Sequence, residues 1–371
     1  MHLLRSLGLA FCIVLTSCES HKSAPSPILV NWEKLGPGGG GATFIPTFSY
    51  DTPEKFIVRC DMTGSYITSD GGVSYQQVNF ANGANAYAFD PVDAKSIWIG
   101  SSTLNHSNDG GKTWDRVFPR KDEILRETFH DDHATFSIET TDSSLYVRES
   151  GHIRTIRIDP AVKGAMYFSM GAFFFYSANG GTTWAREKLN QPIDYVYTNA
   201  TTLKDDVFIF TAESLYKFNK VTHQVIQNVI PPAMSPAFSF TAGIEANSGT
   251  VIFYALHHDP KEEIQEEFGH SEVWKSIDRG TTWNRLQSPV VTNAANGIKP
   301  SYSMIACAEF DAGRAYLVSN RYEEKKAGKM IFWYGAMKTN DAGDQWEWVW
   351  KGGGGSGQYG VKDGIGVANL K

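Results

Sequence analysis

The sequence predicts an all-β protein assembled from a repeated unit. Three observations lead to this class. A turn motif recurs five times, strand-like runs flank the copies, and the 371 residues include 35 Gly, 10 Trp, 16 Tyr and 22 Phe without a long amphipathic helical pattern. Long-period repeats are typical of folds whose units stack on their neighbours, and short strands between frequent turns favour an all-β architecture.

The repeat motif has Ser or Thr first, Asp or Asn third, Gly fifth and an aromatic residue eighth. We call the copies motifs 1 to 5; they occupy residues 68–75, 107–114, 177–184, 276–283 and 339–346. An Asp or Asn side chain bonds to backbone N–H groups of its own turn, and Gly supplies the positive φ of a tight hairpin. The pattern predicts hairpins with structural roles for Asp70, Asp109, Asn179, Asp278 and Asp341.

A second recurrence divides the chain into units. Asp-Pro turns precede strand-like runs, as Asp90-Pro91 precedes Ile97, because proline ends pairing and Asp caps the turn. Second strands of six units are expected to begin near Phe56, Ile97, Met166, Val207, Val251 and Ala315. The Val207 unit lacks the motif, and residues 218–222 are its expected degenerate turn. Extra length at residues 120–150 and 257–270 predicts insertions, the second of them on the surface.

The motif resembles the Asp-box, or BNR repeat, of the sialidase-like superfamily, which sialidases, sortilin-type receptors, xyloglucan-cleaving glycosidases and photosystem assembly factors share. All of these are β-propellers. The resemblance runs from about residue 31 to residue 350. It implies a β-propeller of about seven four-stranded blades over residues 28–371, with six blades visible and the motif hairpins on the outside.

The two ends of this region suggest a seventh blade. Residues 31–35 match the strand that follows a motif, and residues 364–368 resemble a first strand, so such a blade lacks its second and third strands. Two explanations remain open. The chain continues into a second propeller in a longer parent, or it closes as a shortened ring with a skeletal last blade.

The N-terminus has the features of a targeting segment. Arg5 and the apolar run Leu7 to Leu15 make residues 1–17 a signal peptide, too short to span a bilayer as a stable helix. The segment ends in Leu15-Thr16-Ser17-Cys18, which resembles a bacterial lipobox and implies lipidation of Cys18. We expect residues 18–27 to be a Ser/Pro tether and the protein to be lipid-anchored in the cell envelope, at the outer membrane. An ordinary secretory signal is the alternative.

Asp61 is the candidate catalytic residue. A Trp and a Gly run at residues 32–41, followed by Asp61, Gly64 and Tyr66, resemble the opening of xyloglucanase-type, oligoxyloglucan reducing-end-specific glycosidases. In that family the corresponding Asp is the base of an inverting mechanism, and the acid lies in a second propeller. Thr63 replaces a Gly of the family pattern. The alternative for Asp61 is a local turn acceptor.

The resemblance implies a glycan-active protein, a glycoside hydrolase-like propeller acting on a β-glucan or xyloglucan-type polysaccharide. Tyr66, Trp98 and Trp333, with Tyr334 beside it, are candidate sugar-stacking residues; interblade packing is the other explanation for such aromatics. A non-catalytic scaffold that binds a glycan or a protein is the alternative function. A sialidase is less favoured, because Phe44-Ile45-Pro46 lacks the Arg of that family's opening motif.

Several function classes are disfavoured. The net charge of −6 argues against a nucleic-acid partner. The cluster His130-Asp131-Asp132-His133 is expected to be a solvated loop, and neither a metal nor another cofactor is predicted. Cys60 and Cys307 are expected to be two buried thiols rather than a disulfide, which would need ring closure to join their strands.

Overall fold

The computed structural model describes residues 43–61, 64–80, 83–129, 136–143, 152–230, 236–258, 271–287, 301–326 and 329–355. Within these ranges every regular element is a β-strand, apart from a short 3₁₀ turn at Lys121–Glu123. None of the described segments forms a helix with the length and apolarity that crossing a bilayer requires. The expected all-β class is confirmed.

The strands form six antiparallel sheets of four, which we call blades 1 to 6. Blade 1 contains β1 (Thr43–Phe48), β2 (Phe56–Cys60), β3 (Gly64–Thr68) and β4 (Gln76–Asn79). Blade 2 contains β5 (Ala86–Phe89), β6 (Ile97–Gly100), β7 (Leu104–Ser107) and β8 (Asp115–Phe118). A two-stranded hairpin of β9 (Ile124–Phe129) and β10 (Phe136–Thr140) follows.

Blade 3 contains β11 (Ile153–Ile158), β12 (Met166–Met170), β13 (Phe173–Ser177) and β14 (Ala185–Lys188). Blade 4 contains β15 (Ile193–Tyr197), β16 (Asp206–Thr211), β17 (Ser214–Asn219) and β18 (Val225–Val229). Blade 5 contains β19 (Ala237–Ile244), β20 (Val251–His258), β21 (Ser271–Ser276) and β22 (Asn284–Arg285). Blade 6 contains β23 (Ser301–Ala308), β24 (Asp311–Lys326), β25 (Lys329–Thr339) and β26 (Glu347–Gly355).

The six blades are arranged as a β-propeller. The first strands of successive blades contact one another, so β1, β5, β11, β15, β19 and β23 surround the central channel. Each blade then runs outward in chain order to its fourth strand. The expected second-strand starts are confirmed, because β2, β6, β12, β16, β20 and β24 begin at or within a few residues of the predicted positions. A seventh blade is not shown, and residues 31–35 and 364–368 lie outside the described residues.

Buried apolar side chains hold neighbouring blades together. Five clusters separate the six blades in order, and each combines residues of two successive sheets. Between blades 1 and 2, for example, Ile57 and Ile67 meet Phe89 and Ile97. Second strands such as β6 and β12 are buried along their whole length, since a neighbour covers both of their faces. Apolar packing between adjacent blades therefore stabilises the propeller.

The motifs form the hairpins between third and fourth strands. In motif 1, Asp70 Oδ1 accepts hydrogen bonds from Thr68 Oγ1 (2.8 Å) and from the Ser74 backbone N–H (2.9 Å). The backbone N–H of Gly71 donates to the Glu54 carbonyl (2.9 Å), which joins the hairpin to the β1–β2 turn. Asp109, Asn179, Asp278 and Asp341 accept bonds in their own hairpins in the same way.

Two further expectations have mixed outcomes. Residues 218–222 do form the hairpin of blade 4, where Asn219 Oδ1 accepts from the backbone N–H groups of Val221 and Thr222. Residues 120–150 include the additional β9–β10 hairpin. The second insertion was expected to start at His257, which is wrong, because His257 and His258 end β20 and His257 is 1% exposed. Residues 259–270, like residues 130–133, lie outside the described residues.

Candidate functional site

An ion pair bridges the central channel at the end where the motif hairpins lie. Arg157, near the end of β11, forms a salt bridge with Glu309 in the β23–β24 turn, and so joins blade 3 to blade 6. Arg157 also donates to the Thr198 carbonyl (2.6 Å) in blade 4, and Tyr50 of blade 1 lies 3.4 Å from Glu309 Oε2. Burial alone would lower the pKa of Arg157, but the charge and hydrogen bond of Glu309, together with Tyr50 and Tyr195, raise it above its ordinary value, so Arg157 stays charged.

The opposite end, which we call the mouth, is lined by the starts of first strands and by the β2–β3 and β6–β7 turns. Asp61 directly follows β2 and is exposed there. Its Oδ1 atom accepts a weak hydrogen bond from Cys60 Sγ at 3.4 Å. An exposed carboxylate at this position can meet a ligand that enters the channel, which a carboxylate in a motif hairpin cannot do.

The side chain of Arg59, two residues before Asp61, extends from blade 1 to blade 2. Arg59 Nη1 donates to Asn85 Oδ1 at 2.9 Å, and its guanidinium lies 5.9 Å from the centre of the Phe44 ring. The Nε atom of Arg59 is buried and has no hydrogen-bond partner among the described residues. At the mouth between blades 1 and 2, the Arg59 guanidinium therefore makes one of the several hydrogen bonds that it could donate.

A histidine continues this polar lining at the blade 2–blade 3 boundary. His152 Nδ1 lies 3.3 Å from Ser102 Oγ, and Ser102 is fully buried. Burial lowers the pKa of His152, and the positive charges of Arg59 and Arg154 lower it further. His152 is therefore neutral near pH 7 and able both to donate and to accept a hydrogen bond.

A second carboxylate faces the mouth from blade 4. Asp194, at the start of β15, lies 3.5 Å from Arg154 Nη1 at the start of β11. Burial raises the pKa of Asp194, and the charge of Arg154 only partly offsets this. Asp61 and Asp194 thus differ in environment, one carboxylate being exposed and the other being partly buried and ion-paired. We refer to Arg59, Asp61, Asn85, Ser102, His152, Arg154 and Asp194 together as the mouth cluster.

The candidate sugar-stacking residues have different locations. Trp98 is 4% exposed in the core between blades 2 and 3 and stacks on His106 at 4.0 Å, so no sugar can reach its ring, and we reassign it to interblade packing. Tyr66 is partly exposed on β3 and packs edge-on against Tyr75 at 6.3 Å. The side chain of Trp333 lies outside the described residues.

The two cysteines near the channel are thiols. Cys60 and Cys307 are both free thiols, as expected from the sequence, but only Cys60 is buried, whereas Cys307 is partly buried. Burial raises the pKa of Cys307 to about 12, so this thiol is protonated and unreactive near neutral pH. In the described part of the chain no three His, Cys, Asp or Glu side chains come together in a group that could hold a metal ion.

Most of the mouth cluster carries no sequence signal of the kind that marks Asp61. Asn85, His152 and Asp194 each belong to a different blade, and no local motif links them. One signal was present. His152 and Asp194 lie at or next to the residue where a first strand begins, and these positions meet around the mouth once the blades stack.

Comparisons with known proteins agree with this architecture. No protein-family model matches the chain. A xyloglucanase from Paenibacillus sp is 23% identical over 360 residues, which cover 90% of this chain and 34% of the relative, so the chain spans about a third of that protein's length.

Solved structures give the same result for the fold. An ancestral GH74 enzyme superimposes with a TM-score of 0.58 at 17% identity, covering 89% of this chain and 41% of that one. The GH74 enzyme of Niastella koreensis gives 0.51 at 10% identity, with 81% and 58% covered, and the GH74 xyloglucanase of Xanthomonas campestris gives 0.50 at 12%, with 81% and 59% covered. The chain is thus a β-propeller of the shape found in GH74 enzymes, with weak sequence similarity to a xyloglucanase.

Proposed function

We propose that this protein is a glycan-active propeller that binds a β-glucan or xyloglucan-type polysaccharide at the mouth and hydrolyses it with inversion. The observation that carries the proposal is the position of Asp61. It is exposed at the mouth, in the part of the chain whose residues 32–66 resemble the opening of xyloglucanase-type glycosidases.

Asp61 is the general base in this mechanism. An inverting glycosidase needs one carboxylate to activate water and one carboxylic acid to protonate the leaving oxygen. Asp61 has the exposure that the first role requires. The acid is supplied either by Asp194, whose pKa burial raises, or by a second propeller of a longer parent. Arg59, Asn85 and His152 offer hydrogen bonds to sugar hydroxyls, since all three carry donors at the mouth.

The test compares reducing-sugar release from xyloglucan by the wild type, Asp61→Asn and Asp194→Asn. Removing a general base lowers kcat by about 10²-fold or more, so Asp61→Asn is expected to lose nearly all activity. Asp70→Asn is the matched control, because it makes the same substitution in a motif hairpin at the other end of the blade. Equal activity of wild type and Asp61→Asn would remove Asp61 from the mechanism.

A non-catalytic glycan-binding scaffold is the second candidate. The salt bridge of Asp194 to Arg154 favours it, because ion pairing opposes the protonated form that an acid catalyst needs. A wild-type protein that binds xyloglucan on a glycan array and releases no reducing sugar would select this function.

We also propose that a lipid on Cys18 anchors the protein in the bacterial envelope, at the outer membrane. The lipobox-like residues 15–18 support this. Cells expressing the full chain are labelled with radioactive palmitate, and the label is expected in the wild type and not in Cys18→Ser. Label in both proteins, or in neither, would contradict the anchor.

A further inference from the structure

A cavity of about 300 Å³ lies on the outer rim of the propeller, away from the mouth. It is bounded by Phe118 at the end of β8, Thr140 at the end of β10 and Trp184 of motif 3. The β9–β10 hairpin inserted between blades 2 and 3 thus forms one wall, and the motif hairpin of blade 3 forms another. Its volume is at the small end of the range for ligand pockets, about 300–1,000 Å³.

The charges in the cavity cancel one another. Arg186 forms a salt bridge with Asp142, and Arg120 lies 3.2 Å from Glu123 Oε1. These are the four charged side chains that line the cavity, two of each sign. An anion or a cation would have to compete with an existing partner, so the electrostatics favour an uncharged ligand.

The rest of the lining combines apolar rings with hydroxyls. Phe118 and Phe175 lie 5.0 Å apart at the base, and Trp184 is half-buried beside them. The exposed Thr182 and Thr183 of motif 3 add hydroxyl groups at the edge. Aromatic faces next to hydroxyls suit a ring that has apolar C–H faces and polar edges.

The indole N–H groups of the motif tryptophans differ in their hydrogen-bond partners. In motifs 2 and 5 the indole N–H donates to the motif's own glycine carbonyl, from Trp114 to Gly111 at 2.9 Å and from Trp346 to Gly343 at 3.1 Å. The Nε1 atoms of Trp184 in motif 3 and of Trp283 in motif 4 are buried and have no hydrogen-bond partner among the described residues. An unpartnered indole N–H is thus not peculiar to this cavity, and Trp184 contributes its ring to the lining.

We propose that this rim cavity binds one uncharged sugar unit, with the sugar ring packed against the Trp184 side chain. The site is distinct from the mouth cluster and carries no catalytic carboxylate. It would hold a polysaccharide against the outside of the propeller, independently of any hydrolysis at the mouth.

The experiment uses the full chain labelled with 5-fluorotryptophan and follows it by ¹⁹F NMR. The resonances of Trp184 and Trp114 are assigned by their loss in Trp184→Phe and Trp114→Phe. Methyl β-glucoside, methyl β-xyloside and glucuronate are then titrated. A saturable shift of the Trp184 resonance with a neutral glycoside, and none of the Trp114 resonance, is the expected result.

Thr141→Phe is the blocking variant, because Thr141 is an exposed lining residue that does not touch the indole N–H in motif 3. It is expected to remove the shift. Asp61→Asn is expected to keep it, so failure at the rim is distinguishable from failure at the mouth. No shift of Trp184 with a neutral glycoside, a stronger response to glucuronate, or an unchanged shift in Thr141→Phe would each overturn the proposal. If Trp184→Phe fails to fold, the unassigned resonances are compared instead. One resonance that shifts with the glycoside in the wild type and stays unshifted in Thr141→Phe supports the proposal, and the lack of any such resonance overturns it.

Discussion

The Asp at the third motif position stabilises its hairpin through its charge. Asp70 accepts hydrogen bonds from the Ser74 hydroxyl (2.6 Å), the Ser74 backbone N–H and Thr68. These bonds lower the pKa of Asp70 to about 2 from its ordinary 3.8, with the Ser74 hydroxyl as the largest cause. The carboxylate form is therefore the form that the folded turn prefers.

This preference predicts a dependence of stability on acid. Because the folded pKa lies below the ordinary value, the contribution is fully present above about pH 4 and is lost as the pH falls towards about 2. Asp70→Asn removes the titrating group and keeps an acceptor, as Asn179 does in motif 3. Melting temperatures measured between pH 5 and pH 2 are expected to fall less steeply in Asp70→Asn than in the wild type.

Asn179→Asp is the reciprocal control. It introduces a carboxylate at the same motif position and is expected to steepen the acid dependence. Parallel curves for the wild type and both variants would show that the charge at this position does not contribute to folding.

For single residues, the sequence predicted the roles of side chains whose hydrogen-bond partners are close in sequence. Asp70 and its four counterparts could be assigned because their partners lie within four residues. Asp61 could be placed at the end of a strand by its neighbours. His152 and Asp194 could not, since Arg59 of blade 1 acts on His152 and Arg154 of blade 3 acts on Asp194 of blade 4.

At the scale of the element, the fifth motif position controls how closely blades approach. A Cβ atom added to Gly111 would lie 2.6 Å from Ile67 Cδ1 of blade 1, and one added to Gly280 would lie 2.0 Å from Leu215 Cδ2 of blade 4. The same glycines have positive φ, 94° and 83°. Glycine is therefore required there both for the turn and for contact between blades.

Gly111→Ala and Gly110→Ala separate these two requirements. Both residues have positive φ, but a Cβ at Gly110 meets nothing within 4 Å. Left-handed backbone costs an alanine about 1–2 kcal/mol, which applies to both variants. Gly111→Ala should lose roughly 1–3 kcal/mol more through overpacking against Ile67. Urea unfolding of the two variants measures the difference, and equal losses would contradict close blade contact at Gly111.

Hairpins carrying the motif could be predicted, whereas burial within a strand could not. Trp98 lies on β6, whose four residues are all buried because neighbouring blades cover both faces. The alternation that separates inner from outer faces in a single sheet is therefore missing. The β9–β10 hairpin was visible only as extra length, because it carries no motif.

At the scale of the whole molecule, one ion pair connects distant blades. The Arg157 and Glu309 side chains are 11% and 21% exposed, and they link the third and sixth blades across the channel. Each charge depends on the other, since a buried charge without a partner is strongly unfavourable.

Glu309→Ala is expected to destabilise the protein by about 3–5 kcal/mol, because it leaves the Arg157 charge uncompensated. The double variant Arg157→Met, Glu309→Leu removes both charges and is expected to recover most of that loss. Denaturant unfolding of the single and double variants measures the coupling. Additive losses would show that the two side chains do not interact.

The number of blades visible in the sequence could be predicted, because six unit starts follow recurring turns. The contact between blades 1 and 6 could not. Blades 1 and 6 meet through Tyr50 and Phe310, whose ring centres are 6.2 Å apart, and no recurring pattern marks either residue.

The order of the five apolar clusters has a consequence for how the protein loses structure. Among the described residues blades 6 and 1 meet through the Tyr50–Phe310 and Tyr50–Glu309 contacts but share no buried apolar cluster, so this junction is the weakest between successive blades. When blades are stabilised mainly by their nearest neighbours, local unfolding begins in the blades beside the weakest junction. Amide deuteration should therefore be slowest in β12 and β16 and fastest in blades 1 and 6. Uniform rates across all blades would show that the junction between blades 6 and 1 is as stable as the others.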